Sequence, residues 1–292
     1  MSDLSDIVIF VRSYKRYEQV KTHTLKFLDD NNLLHMVILL VADKEEESLY
    51  IESLGEMKNS LLDIWVTEKG GGFSNNNALK RVPLNHKVFM MDDDIKTISS
   101  YPDGGSKNPV KITNLIDYLE YGYEMMAKSG AGMFGFNYMN MFYKQGKGFI
   151  TIGQNRITGG FWGAFNCEEL QVDFNHEDDT IRSAQVMHKF GTTITFNWIG
   201  CSMAPIGKNP GGMQADGSRD DTKAICNNAL KKESVKKFFQ SEPEWREQYQ
   251  NWSLKPINKN KLKKEKYYIK AKEVGEFGDY VPDAIPTNLF SI

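Results

Sequence analysis

An apolar run that stops on three carboxylates constrains this chain more than anything else in it. Lys87-Val88-Phe89-Met90-Met91 has the continuous apolar character of a strand buried on both faces, and Asp92, Asp93 and Asp94 follow before Ile95. Open α/β sheets bind their ligands at the carboxyl ends of the strands, so these acids are predicted to emerge at such a place. Adjacent carboxylates repel one another unless solvated or neutralised. Hard divalent cations take oxygen ligands, with substrate phosphates completing the shell. A metal and diphosphate site is one reading; an ordinary acidic turn is the other, because Asp is a common turn residue.

The segments before the run repeat one pattern. Asp6 to Val11 is a β-branched run that reads as a buried strand, and the polar stretch Arg12-Ser13-Tyr14-Lys15-Arg16 follows it. Val20, Thr24, Leu25, Phe27 and Leu28 then fall near helical spacing. In this layout Arg12 is placed to meet phosphate and Tyr14 to stack on a base, against the alternative of a solvated loop. His35 to Val41 predicts a second strand, with an acidic helix running on to Leu54, and Leu62 to Val66 predicts a third. Gly70-Gly71-Gly72-Phe73-Ser74-Asn75-Asn76-Asn77 reads as a loop whose glycines let the backbone approach a ligand and whose asparagines cap the next helix. Alternation of this kind predicts a parallel sheet with right-handed crossovers.

The middle of the chain adds a second acidic cluster. Ile112 to Ala127 is spaced as an amphipathic helix and Gly132 to Asn137 as a strand. Gly159-Gly160-Phe161-Trp162-Gly163-Ala164-Phe165 has the composition of a turn feeding a strand. Phe161 and Trp162 are candidates to pack on the flat ring of an acceptor, although tryptophan is more often a core residue. His176-Glu177-Asp178-Asp179-Thr180 leads into a helix over 181–190. Acids there either complement the helix dipole or provide a general base. Arg182 would bind the leaving diphosphate, contact the acceptor or pair with the acids. A strand over 192–199 precedes a glycine-rich polar loop, 207–221, whose Lys208 and Arg219 would clamp phosphate. Lysine-rich stretches follow, 231–239 and 255–272, the second carrying Tyr267 and Tyr268.

This order of elements resembles the nucleotide-sugar-dependent glycosyltransferases of the GT-A fold, with Asp92-Asp93-Asp94 as the Asp-x-Asp element and Val11 to Arg16 as the first nucleotide-contacting loop. The resemblance implies a Rossmann-type mixed sheet flanked by helices, a nucleotide-sugar-binding half over 1–100, an acceptor-binding half over 101–225, and a lysine-rich C-terminal extension over 226–292. It implies that Asp94 binds a divalent ion, Mn or Mg, that Asp92 faces the ribose or the metal, and that Arg12, Tyr14, Arg16, Asn77 and Asp93 contact a UDP-sugar or similar donor. Glu177-Asp178 matches the Glu-Asp pair of inverting members, with Asp178 as base. Many members add a histidine to the metal, but the last histidine here is His188, which leaves Asp216 as a candidate third ligand. More loosely, the aromatic turn and lysine-rich end resemble the TET-associated glycosyltransferases of bacteriophages, relatives of the base J glucosyltransferases. That likeness implies double-stranded DNA carrying 5-hydroxymethylpyrimidines, such as 5-hydroxymethylcytosine, as acceptor.

Composition narrows the choices further. A net charge of −2 gives no global nucleic-acid signature, so DNA contact must rest on local patches. The three cysteines, Cys167, Cys201 and Cys226, have no metal-ligand spacing and suit a reducing cytoplasm. No run is long enough to span a membrane. Competing expectations are a glycosyltransferase with a non-DNA acceptor, a sugar-nucleotide pyrophosphorylase, and a non-enzymatic nucleic-acid-binding module built on the lysine-rich end. The pyrophosphorylase reading lacks its glycine- and arginine-rich loop after Val11, and the binding module leaves two acidic clusters without a purpose.

Overall fold

A computed structural model describes residues 5–100, 109–138, 150–153, 156–157, 159–172 and 178–203. Within them β1 (Ile7–Arg12), α1 (Tyr17–Val20), a π-helical turn (Lys21–Leu25) and α2 (Lys26–Asp30) lead to β2 (Val37–Val41). Next come α3 (Lys44–Leu54), β3 (Asp63–Val66), α4 (Gly71–Leu79) and β4 (Lys87–Asp92). The chain continues through β5 (Ile95–Ser100), β6 (Val110–Lys111), α5 (Leu115–Ser129), β7 (Phe134–Tyr138), β8 (Ile150–Gly153), β9 (Phe161–Phe165), α6 (Asp178–Phe190) and β10 (Thr193–Met203).

All ten strands join one mixed sheet, in the order β3-β2-β1-β4-β9-β7-β10-β5-β6, with β8 also paired to β10. The first four strands run parallel to one another, as the strand and helix alternation predicts. Ile7 to Val11 and Val37 to Val41 are buried throughout, which explains why they show no polar alternation. From β1 the order steps outward to β2 and β3, then returns past β1 to β4. That reversal opens a crevice between the carboxyl ends of β1 and β4, where Arg12 stands in register with Asp92. Beyond β4 the sheet becomes mixed: β9 runs antiparallel to both β4 and β7, and β5 antiparallel to β10. The fold is therefore the mixed, helix-flanked α/β sheet expected from the sequence.

Two details differ from the expectation. The glycine and asparagine stretch is helical from Gly71 onward, so Asn75, Asn76 and Asn77 lie inside α4 and do not cap it. Gly70 takes the N-cap position at φ 109, a backbone region that side chains disfavour, which is why glycine is needed there. Asn76 instead ties α4 to the segment before α6, donating from Nδ2 to Val172 O at 2.6 Å and accepting from Val172 N at 2.9 Å. The second detail is β5, whose mixed polar sequence hides a strand that β10 and β6 recruit.

Under the crevice, the ring of Phe134 is clasped by glycines. A Cβ on Gly163 would come within 2.3 Å of it and one on Gly122 within 2.6 Å. Since Phe134 is fully buried, Gly163→Ala should lower the unfolding free energy by about 1–3 kcal/mol, read as a shifted urea midpoint at unchanged slope.

Candidate active site

The crevice gathers charge because strand ends and two turns converge on it. Asp92 closes β4, and its backbone N–H donates to Gly160 O at 2.9 Å in the turn before β9. That turn is close to both acids: a Cβ on Gly160 would lie 2.8 Å from Asp92 Oδ2, and one on Gly159 would lie 3.2 Å from Asp179 Cβ. Arg12, the last residue of β1, reaches three partners from this point. Its Nε donates to Asp92 Oδ1 at 2.7 Å, its Nη2 donates to Gly159 O at 3.2 Å, and its Nη1 lies 3.5 Å from Asp178 Oδ2. One guanidinium thus joins acids that the sequence places far apart. Burial works against the Arg12 charge, but Asp92 and Asp178 outweigh it and hold the group firmly protonated.

The other two acids of the triplet have distinct surroundings. Asp93 is buried and fully engaged: Ser13 Oγ donates to its Oδ2 at 2.7 Å and Arg16 Nη1 to its Oδ1 at 2.7 Å. Ser13 in turn accepts from Tyr50 Oη of α3 at 2.6 Å. Asp93 therefore anchors the first loop to the triplet, a structural duty in place of the direct donor contact expected of it. Asp94 Oδ2 sits 3.8 Å from Arg16. Burial and the charges of Asp92 and Asp93 push its carboxyl up to about 7, with Arg16 offsetting part of the rise.

Asp178 opens α6, where the helix N-terminus favours a carboxylate. Burial alone would raise its pKa, but the guanidinium groups of Arg182 and Arg12 hold it below the ordinary range. Arg182 is 0 % exposed and is fixed from three sides. Its Nη1 donates to Asp178 Oδ2 at 3.1 Å, its Nε donates to Leu170 O at 2.8 Å, and its guanidinium lies 4.9 Å from the Trp162 ring centroid. Of the roles open to Arg182, the structure shows pairing with the acids: it is enclosed and holds Asp178. Two expectations are corrected here. Phe161 and Trp162, at 0 % and 1 % exposure, belong to the core and offer no face to an incoming ring.

On the donor side Tyr14 is half-buried, with Lys15 Nζ at 5.2 Å and Lys69 Nζ at 5.1 Å from its ring centroid. Asn77 is half-buried on α4, and its Oδ1 accepts no hydrogen bond from the described residues. Ser13, Tyr50, Lys69, Gly159 and Gly160 were not singled out for these contacts. Of these, only the paired glycines before an aromatic strand left a sequence signal. Glu177, Lys208, Arg219, Asp216 and the lysine-rich extension lie outside the described residues.

A cation fits the donor set. Asp92 and Asp94 supply hard oxygen atoms, and the pKa of Asp94 is raised by burial first and by the charges of Asp92 and Asp93 second, the second of which a cation would offset. Among the described residues no three His, Cys, Asp or Glu side chains are grouped so as to hold a metal ion, so water and phosphate oxygens would complete the shell. Also among the described residues, no helix is long and apolar enough to cross a membrane.

No protein-family model and no curated protein matches the sequence. Among solved structures, the chain is similar to a mannosyltransferase of Pyrobaculum calidifontis in complex with GDP-Man and Mn2+, at 13 % identity and a TM-score of 0.49, over 71 % of this chain and 59 % of that one. It is similar to S. aureus TarS in complex with UDP-GlcNAc at 11 % identity and a TM-score of 0.47, over 75 % and 64 %. A third likeness is to glucosyl-3-phosphoglycerate synthase of Mycobacterium tuberculosis in complex with Mn2+, UDP and glucosyl-3-phosphoglycerate, at 9 % identity and a TM-score of 0.39, over 68 % and 73 %. The chain spans about three fifths of the length of the first two proteins.

Asp94 supplies a pH test. Its folded pKa of about 7 exceeds the ordinary 3.8, so the native chain retains a proton that the unfolded chain has lost. Stability attributable to this group therefore falls as pH rises from about 4 towards 7. Asp94→Asn should melt above the wild type at pH 8, with the difference shrinking towards pH 4. Saturating Mn2+ should raise the wild-type melting temperature at pH 8 and leave that of the variant nearly unchanged, as read by scanning fluorimetry.

Proposed function

We propose that the chain is a metal-dependent glycosyltransferase that moves a sugar from a nucleoside-diphosphate sugar, with UDP-sugars the first class to test, to a hydroxyl acceptor with inversion. The observation that supports this reading is that Arg12 contacts both Asp92 and Asp178, the acids to which we assign the cation and the acceptor's proton. Asp92 and Asp94 would hold the divalent ion. When bound, that ion supplies charge neutralisation for the departing diphosphate.

The chain's own residues account for the remaining chemistry. Arg12 is assigned to add positive charge beside the diphosphate, and Tyr14, Arg16 and Asn77 to contact the donor. Asp178, held ionised by its two arginines, accepts the acceptor's hydroxyl proton as that oxygen bonds to the anomeric carbon and the bond from that carbon to the diphosphate oxygen breaks. The same arginines make it a weak base. Proton transfer is therefore late, following the build-up of positive charge on the attacking oxygen. Glu177 is assigned to support Asp178, and Lys208 and Arg219 to the leaving diphosphate.

For the acceptor we extend the reading to a 5-hydroxymethylpyrimidine in double-stranded DNA, on the strength of the lysine and tyrosine run over 255–272. The base must leave its stack, at a cost of a few kcal/mol. With Phe161 and Trp162 enclosed, its stacking partner comes from elsewhere in the chain. The free Cys167 and Cys201 suit a reducing cytoplasm.

Calorimetry with UDP and Mn2+, followed by transfer assays over a panel of nucleotide sugars, tests the assignment. Asp94→Ala should lose Mn2+-dependent nucleotide binding. Asp178→Asn should keep that binding and lose about 10²–10⁴-fold in turnover. Turnover of Asp178→Asn at the wild-type rate would remove the base. DNA binding that ignores salt, or a panel in which hydroxymethylated DNA gains no sugar mass while a small alcohol does, would transfer the acceptor role to a non-DNA hydroxyl.

A further inference from the structure

The turn that carries the three acids has no ladder of its own. β4 and β5 are consecutive in the chain but lie far apart in the sheet, since β4 pairs with β1 and β9 while β5 pairs with β10 and β6. Asp93 and Asp94 therefore span a four-residue turn from Asp92 to Ile95 that cross-strand pairing does not hold. In an ordinary β-turn the first carbonyl accepts directly from the fourth N–H. Here a side chain is inserted between them. Thr24 Oγ1 donates to Asp92 O at 2.6 Å and accepts from Ile95 N at 3.0 Å.

Two threonines share the π-helical turn Lys21–Leu25 and use their hydroxyls differently. The exposed Thr22 bonds back along its own helix, donating to Glu18 O at 2.7 Å. Thr24 lies in the π-helical turn Lys21–Leu25 and is fully buried, with its hydroxyl directed away from its own helix and into the acidic turn. Single π-turns of this kind are unfavourable in isolation and gather at functional sites. Through Ser13 and Arg16 the first loop fixes the side chain of Asp93, and through Thr24 the following helix fixes the backbone on either side of it.

We infer that Thr24 is a positioning residue that presets the Asp92-Asp93-Asp94 turn so that Asp92 and Asp94 face the same divalent cation. The inference rests on the metal site proposed above. Outer contacts that orient metal ligands commonly influence affinity by about 10–100-fold. Thr24→Val keeps the shape of the side chain, removes the hydroxyl and leaves two buried backbone groups unpaired. Thr24→Ser keeps the hydroxyl.

The test measures Mn2+ affinity of the nucleotide-free chain by calorimetry and amide hydrogen exchange at Asp94 and Ile95. Thr24→Val should bind Mn2+ about 10–100-fold more weakly and exchange faster at both amides, with Thr24→Ser within about 3-fold of wild type. In turnover, the concentration of Mn2+ needed for half activation should rise while the acceptor KM stays put. Thr24→Val that melts earlier but binds Mn2+ like the wild type would overturn the inference and leave Thr24 a packing residue. If the wild type itself binds no Mn2+, the metal reading falls, while faster exchange in Thr24→Val would still mark the hydroxyl as the clamp of the turn. Should Thr24→Val not fold, Thr24→Cys, a weak donor of similar size, takes its place in both measurements. Cys and Ser variants of equal affinity would then overturn the inference.

Discussion

The guanidinium of Arg12 is the interaction on which the candidate site depends. Three directions are used at once, towards Asp92, Gly159 O and Asp178, and a planar fork of donors at the end of a strand can serve all three. A lysine in this position would be a point charge with no fixed geometry. An apolar residue would leave Asp92 without its guanidinium partner and Asp178 with Arg182 alone. The position matters as much as the chemistry, since β1 is the strand from which the sheet order departs in both directions. A charge at its carboxyl end stands where ligands enter such sheets.

Around that charge the acids divide their labour. Asp93 is saturated by Ser13 and Arg16 and keeps the first loop in place, while Tyr50 and Glu46 of α3 fix the same loop from behind. Lys15, at φ 54, is held in this unusual backbone conformation by the hydrogen bond from its N–H to Glu46. The pKa of Asp94 is raised by burial first and by the neighbouring charges of Asp92 and Asp93 second. The contacts of Ser13 and Arg16 to Asp93 keep the turn between them in place.

The parts of this arrangement visible in the sequence are those set by local pattern. Continuous apolar runs announced β1, β2 and β4, and acids at a strand end and a helix start marked both clusters. Contacts made only by tertiary packing gave no such signal. Trp162 reads equally as a platform or as core until Arg182 is seen covering it, and Arg182 looks like a surface arginine until α6 turns it inward. β5 carries too little apolar character to declare itself without β10. The asparagines of α4 favour caps and turns on their own, and packing of the helix against β1 and β2 overrides that preference. The π-helical turn follows from no residue preference at all.

The pairing at α6 also separates two neighbouring acids. Asp178 and Asp179 are adjacent, but a step of one residue turns a helix by about 100° and sends their side chains to different partners. Asp179 accepts from Arg156 Nη2 at 2.9 Å and abuts Gly159, on the outer side of the glycine turn. Asp178 looks across the same turn to Arg12, and through it to Asp92. Asp178 is therefore the acid of α6 that shares a guanidinium with Asp92. The closeness of Gly159 and Gly160 to Asp179 and Asp92 means that any side chain added to this turn would press on one cluster or the other. Two glycines, one arginine and the first turn of a helix thus connect the acids that end β4 with those that open α6.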